Sequence, residues 1–320
     1  MTDYLLSCDW GTSNLRVRNI EVNSGKIIAS IALEEGIGKV YASWQQNTTI
    51  SRLFYYREYL KRAIYQLSIN TGSDLKGTPL IVSGMASSRN GLEELPYASI
   101  PFSLNGQDIV YKRYPVSKDF EHPTWVLSGV QGGIDVMRGE EVQMIGMMTS
   151  INERNYTTIF PGTHSKHIWV EDEKIISFQT FMTGELFQLL GEHGMLSNSI
   201  QESTLDSTGK EEAFTKGVEM GKQGNLLNSL FSVRVNELLR AVDKKENWYF
   251  LSGLLIGYEL KELINTGDSV YLCVGSNLSG FYEKACEVTG VKKMVVTVPA
   301  EIVDQSVVKA HVLLYKNILK

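Results

Sequence analysis

The chain carries one local design twice, and that repetition limits what it can fold into. Residues 4–9 read as a buried strand, a turn follows at Gly11-Thr12-Ser13-Asn14, and residues 15–20 and 27–33, separated by Asn23-Ser24-Gly25, read as two further strands. Near mid-chain the same order returns: strand 157–160, turn Pro161-Gly162-Thr163-His164, strand 167–170, and strand 174–181 after the acidic turn Glu171-Asp172-Glu173. Each of the two longer turns sets a glycine, free to aim backbone N–H groups at an anion, beside hydroxyl side chains. That is the chemistry of a phosphate cradle. Two cradles, one per half, predict two lobes gripping one polyphosphate, as in a nucleotide-dependent phosphotransferase.

Beyond each meander, helix and strand alternate. In the first half, helical spacing covers 50–69, a short parallel strand 80–82, and a helix about 136–148. In the second half helices are expected at 184–190, 211–220, 226–241 and 249–263, then a strand at 270–274, a helix from about Asn277, a strand at 294–298 and a terminal helix at about 302–318. The expected fold class is α/β, a sandwich duplicated around a central cleft. At 320 residues the chain exceeds what one core normally serves, so two domains are predicted, 1–150 and 151–320, meeting in the polar segment 150–156. No low-complexity linker joins them, which predicts hinging lobes. Ser252 and Gly253 fall on an apolar helical stripe and read as packing positions, the glycine letting a neighbouring helix approach.

Composition narrows the ligand. With 43% hydrophobic and 21% charged residues the chain is neither disordered nor a coiled coil, and a net charge of −5 argues against a broad nucleic-acid surface. An anionic ligand must therefore meet a few local cations and backbone amides. Cys8, Cys273 and Cys286 are odd in number and lack Cys-x-x-Cys spacing, so no disulfide framework or zinc site is expected and a reducing cytosol fits best. No basic-then-apolar leader and no membrane-length apolar run is seen, so no membrane partner is expected. The oligomeric state stays open, with a homodimer among the options. Neither the P-loop nor the dinucleotide-binding glycine pattern nor a Gly-x-Ser-x-Gly elbow occurs.

Five blocks stand in order along the chain: Asp9-Trp10-Gly11-Thr12-Ser13-Asn14-Leu15-Arg16, Met137-Arg138-Gly139-Glu140-Glu141, Pro161-Gly162-Thr163-His164-Ser165-Lys166, Met182-Thr183-Gly184-Glu185-Leu186 and Phe250-Leu251-Ser252-Gly253-Leu254-Leu255-Ile256-Gly257. In that order, over nearly the whole length, the sequence resembles the 2-dehydro-3-deoxygalactonokinase family. The resemblance implies an actin/hexokinase-like fold of two ribonuclease-H-like domains with ATP and Mg2+ in the cleft. It also implies transfer of the ATP γ-phosphate to the 6-hydroxyl of 2-dehydro-3-deoxy-D-galactonate, a step of galactonate catabolism. Rival readings are a polyphosphatase-like or nucleotide-sensing member of the superfamily and a silent sugar-acid or nucleotide binding regulator.

Each block carries its own site roles. Asp9 ends an apolar strand, where an unpaired charge is costly, so it is expected to face the cleft and hold Mg2+, with turn capping as the plainer alternative. Gly11, Thr12, Ser13 and Asn14 are expected at phosphate, and Arg16 at a phosphate or the sugar-acid carboxylate or in a structural ion pair. In the second cradle Gly162 would allow close backbone approach, Thr163 a hydroxyl, and His164 and Lys166 further polar contact, Lys166 carrying charge for the transferring phosphoryl group. His164 and His167, three apart with no third ligand, are a weak zinc pattern. The base is sought among Asp135, Glu140 and Glu141. Adjacent helical residues diverge by about 100°, so one glutamate at most faces the cleft directly, and likeness to superfamily phosphatases favours Glu140. Ser83, Gly84, Ser87 and Arg89 form a small, hydroxyl-rich loop suited to a polyhydroxy acid, with Arg89 or Arg138 free to pair its carboxylate. Glu185, at a helix start, would meet the sugar or a magnesium-bound water. By resemblance Gly275 and Ser276 support the adenosine, although one glycine stands where a pair is common.

Overall fold

In the computed structural model, which describes residues 3–202, 208–264, 269–291 and 295–319, strand β1 (Tyr4–Trp10) is buried along most of its length. A strand with both faces covered needs partners on both edges, and β1 has them. On one side β2 (Leu15–Glu21) pairs antiparallel, Asp9 opposite Arg16, and carries β3 (Ile27–Leu33) beyond it. On the other lies a parallel strand reached through two helices, α1 (Ile37–Gln45) and α2 (Arg52–Thr71). This strand, β4 (Leu80–Gly84), sets Asp9 opposite Ser83. Helix α2 is capped by the Ser51 hydroxyl on the Phe54 N–H and ended by Gly72 at φ 61°. It buries Tyr56, Leu60, Ala63, Ile64 and Leu67, the helical stripe, against Leu6, Trp10 and Val17 of the sheet.

Short strands come next: β5 (Ala98–Ser99), β6 (Phe102–Ser103), β7 (Tyr111–Tyr114), β8 (Thr124–Leu127), β9 (Val130–Gly132) and β10 (Asp135–Met137), then helix α3 (Glu140–Met147). The first large sheet has the order β3-β2-β1-β4-β8-β7, and β10-β9-β5 form a small one. The expected helix over 136–148 is thereby corrected. Val136 and Met137 pair with Gln131 and Val130 in a strand, and the helix begins only after Gly139, whose φ of 118° breaks the regular backbone.

The second meander is β11 (Asn155–Phe160), β12 (Ser165–Glu171) and β13 (Lys174–Phe181), the last two joined by Asp172 and Glu173 at φ 45° and 61°. After it come α4 (Thr183–Glu192), α5 (Thr208–Lys222), α6 (Leu226–Arg240), α7 (Lys244–Leu260), β14 (Ser269–Leu272), α8 (Ser276–Thr289), β15 (Val295–Thr297) and α9 (Ala300–Asn317). Strand β14 lies parallel to β11 and to β15, as β4 lies parallel to β1 and β8. Helices α5 and α7 meet backbone to backbone. A methyl on Gly217 would lie 2.1 Å from the Phe250 carbonyl oxygen, and one on Gly253 2.1 Å from that of Phe214. Gly253 is thus a packing glycine, as its apolar stripe suggested.

The chain divides into two compact units. One comprises the chain through Asn152, Asp172–Ser177 and the segment from Glu301 onward; the other comprises Glu153–Glu171 and Phe178–Ala300. Helix α9, which a division at residue 150 assigns to the second half, packs in the first unit. Its buried His311 hydrogen-bonds the Ser7 hydroxyl of β1 at 2.8 Å, and Gly146 of α3 lets the Ser306 carbonyl approach.

Candidate active site

The first turn is held shut from both sides. The Gly11 N–H donates to the Asn14 carbonyl at 2.9 Å, while the Gly36, Ile37 and Gly38 N–H groups donate to the Ser13, Gly11 and Thr12 carbonyls at 3.0, 3.0 and 3.2 Å. A methyl on Gly36 would lie 2.1 Å from the Thr12 oxygen, so only glycine fits there. The side chains of Thr12, Ser13 and Asn14 remain exposed above this clamp. Sequence reasoning missed Gly36 and Gly38; the Gly-x-Gly pair at a helix start was the available sign.

At the carboxyl end of β1, Asp9 keeps 26% of its side chain exposed and pairs with Arg16 at 3.6 Å. Burial raises its pKa, opposed by the Arg16 and Arg18 guanidiniums. Beside it β4 ends in Gly84 at φ 80°, where a Cβ would lie 3.3 Å from Asp9 Oδ1 and 2.9 Å from the Trp10 carbonyl oxygen. Gly139 comes next: a methyl on it would lie 3.9 Å from the Gly84 Cα. The fold therefore gathers Asp9, the end of β4 and the amino end of α3. The two glutamates there differ. Glu141 is buried, accepts the Gly139 N–H at 2.8 Å, and has its pKa pushed up to about 8 by burial and by Glu140. Glu140 stays partly exposed. Asp135, on β10, accepts the N–H of its neighbour Val136 at 2.7 Å.

Arg138 lies 3.9 Å over the ring of Tyr97, with Nε donating to the Tyr97 hydroxyl at 3.0 Å and Nη1 to the Ser87 hydroxyl at 2.6 Å. Ser83 is buried and its hydroxyl reaches the Cys8 carbonyl at 3.5 Å. Arg89 is exposed, its own carbonyl held by Arg52 at 2.7 Å. Tyr97 had no sequence pattern to mark it.

In the second unit the glycine that packing requires is Gly184, not Gly162. A Cβ on Gly162 meets nothing within 4 Å, whereas one on Gly184 would lie 2.5 Å from the Gly162 oxygen and 2.8 Å from the Thr163 Cα. The Glu185 N–H donates to the Thr163 carbonyl at 3.0 Å, and His164 hydrogen-bonds the Glu185 carboxylate. Lys166 is buried, its ammonium 3.3 Å from the His164 carbonyl. His167 is also buried and bonds Glu259, not the solvent-facing His164 region. Gly275 caps α8 in open space; the Ser276 side chain lies outside the described residues. Among the described residues no group of three or more His, Cys, Asp or Glu could hold a metal, and no helix is long and apolar enough to cross a membrane. A single accessible carboxylate such as Asp9 fits Mg2+ that keeps its waters and shares a nucleotide's phosphates.

Antiparallel meanders extended by parallel strands, with helices between, make this an α/β protein of the actin/hexokinase-like class with two ribonuclease-H-like domains. Component A of the (R)-2-hydroxyglutaryl-CoA dehydratase of Acidaminococcus fermentans shares that fold, at TM-score 0.50 and 13% identity over 98% of both chains. The chain belongs to the 2-keto-3-deoxy-galactonokinase family, whose model matches residues 9–308. It is 29% identical to the 2-dehydro-3-deoxygalactonokinase of Escherichia coli (strain K12) over 91% of this chain and 94% of that one. It is 31% identical to a probable 2-dehydro-3-deoxygalactonokinase of Rhizobium meliloti (strain 1021) over 90% of each. A crystal structure of a candidate 2-dehydro-3-deoxygalactonokinase from Sinorhizobium meliloti superposes at TM-score 0.81, with 26% identity, 99% of this chain and 98% of that chain covered.

Proposed function

We propose that this kinase transfers the γ-phosphate of ATP to the 6-hydroxyl of 2-dehydro-3-deoxy-D-galactonate, a step of galactonate catabolism. The observation that carries the reading is the gathering of Asp9, Gly84 and the α3 amino end at one edge of the first sheet, in a member of this family. Asp9 would hold Mg2+, which when bound neutralises phosphate charge. The exposed Thr12, Ser13 and Asn14, with Thr163, His164 and Lys166, are assigned to the phosphates, and Gly11 and Gly162 to close backbone approach. Glu140 takes the proton from the attacking hydroxyl. Glu141 does not suit that task, because its proton stays on until about pH 8 and its carboxyl is committed to Gly139.

For the acceptor, the exposed Arg16 and Arg89 are assigned to the carboxylate. Ser83, Gly84 and Ser87 form the wall, and Arg138, locked to Tyr97 and Ser87, keeps that wall in register. Glu185, which His164 hydrogen-bonds, is assigned to the sugar acid or a magnesium-bound water, and Gly275 and Ser276 are assigned to adenosine. The testing experiment is a panel of keto-deoxy sugar acids with ATP and Mg2+, read out by ADP release. Release that depends on the galactonate-derived acid is expected. Acceptor-independent release would mark a phosphatase, and none at all a binding protein.

A further inference from the structure

Helix α7 carries a carboxylate that the proposed reaction does not use. Glu259 is 1% exposed and accepts four hydrogen bonds. Oε1 takes the Ser165 hydroxyl at 2.6 Å and the His167 Nε2–H at 3.1 Å; Oε2 takes the Tyr282 hydroxyl at 2.9 Å and the Thr183 hydroxyl. A carboxylate has about four lone-pair sites, two per oxygen, and here two donors reach each oxygen. A buried charge left without such partners would be strongly destabilising. Burial and the adjacent Glu259 push the Tyr282 phenol far above its ordinary pKa, which keeps it a donor.

The positions of the donors matter more than their number. Ser165 opens β12, directly after Thr163 and His164, and Ser165 and His167 project from the same face of that strand. Thr183 opens α4, next to Gly184, whose backbone presses on Gly162 and Thr163. Tyr282 comes from α8, the helix that Gly275 caps. We infer that Glu259 is a positioning residue that fixes the geometry of the second phosphate turn by tying its exit, the α4 start and α8 to one buried charge. The inference rests on the proposed role of this turn in binding the phosphates of ATP. Catalysis and tight phosphate binding need donors held in place beforehand, because a displacement near 1 Å is enough to weaken them.

Glu259→Gln keeps the shape but turns one oxygen into a donor facing two donors, and Thr183→Val deletes one hydroxyl at nearly constant volume. Each is expected to weaken MgATP binding by about 10- to 100-fold in calorimetry. Ser165→Ala serves as the milder variant should Glu259→Gln fail to fold. Val291→Ala, in the core of the same unit, controls for general loosening and is expected to lower Tm without changing ATP affinity. Folded Thr183→Val and Ser165→Ala proteins that bind MgATP like wild type overturn the inference alone. So does a Val291→Ala protein that loses as much affinity. A wild-type protein that binds no ATP overturns it together with the kinase reading.

Discussion

Asp9 and Glu140 sit within one small region of the first unit, yet removal of their charges should fail in different ways. Glu140→Gln removes the proposed proton acceptor while keeping volume and helix start, so turnover should fall by about 10²- to 10⁴-fold with ATP binding little changed. Steady-state kinetics and nucleotide titration on one preparation check both halves, and near-normal turnover would move the base to Asp135. Asp9→Asn should instead raise the Mg2+ concentration needed for half-maximal rate. A magnesium titration superimposable on wild type would remove Asp9 from that role. Gly84, Gly139 and Gly36 matter at this scale for what they lack: each stands where a backbone or the Asp9 carboxylate comes close, or where φ is positive.

Helices α5 and α7 make the clearest element-scale case, because two effects of one substitution oppose each other. Alanine at Gly253 would favour an isolated helix by about 1 kcal/mol. In the folded protein its methyl would lie 2.1 Å from the Phe214 carbonyl oxygen and 3.0 Å from the Phe214 carbonyl carbon and the Val218 nitrogen, so the helices must separate. Forced separation costs about 3 kcal/mol or more, which exceeds the propensity gain. Gly253→Ala should therefore lower Tm by roughly 5–10 °C in calorimetry. An unchanged or higher Tm would mean that the α5–α7 contact is looser than the structure has it. Helix α1 illustrates the opposite situation. Its start at Gly36 has no side-chain cap, so no capping residue marks it in sequence, and the helix stands by its contacts with the first turn.

For the whole molecule, two buried groups of the first unit set opposing pH slopes. Glu141 titrates at about 8 in the folded protein against an ordinary 4.5, so between those values the folded chain holds a proton the unfolded chain has lost. Its contribution is fully present below about pH 4.5 and is lost as pH rises through 8. His311 is pushed down to about 3 from 6.5 by burial and by Arg18, so the unfolded chain takes up a proton first and stability falls as pH drops through that window. Each slope amounts to about 1.4 kcal/mol per pH unit. In the overlap from 4.5 to 6.5 they oppose, leaving a plateau with decline on both sides. Denaturant midpoints should show that Glu141→Gln flattens the alkaline decline and His311→Asn the acid one. Identical profiles for all three proteins would show that neither group is buried as described.

Much of the fold was legible because it is written in short-range patterns. Period-2 burial, helical stripes and glycine-hydroxyl turns placed both meanders, helices α2 and α4 to α9 and strands β4, β14 and β15, whereas helix α1 and the short strands β5 to β9 were not expected from them. Local pattern failed where a residue's state depends on distant chain. Val136 and Met137 fit a helical spacing and became a strand because Val130 and Gln131 pair with them. That Gly184 packs against Gly162, twenty-two positions before it, likewise depends on contacts no local pattern shows. The two adjacent glutamates are indistinguishable as sequence; burial alone separates Glu141, a carboxyl that keeps its proton, from the partly exposed Glu140. The chain by itself therefore determined the repeated α/β design, the residue types of the two turns and the family. Tertiary structure alone decided that α9 returns to β1 through Ser7 and His311, 304 residues apart, and that Arg138 is tied to Tyr97 and Ser87. Periodicity encodes which face of an element is buried, whereas it does not encode which distant atom will meet that face.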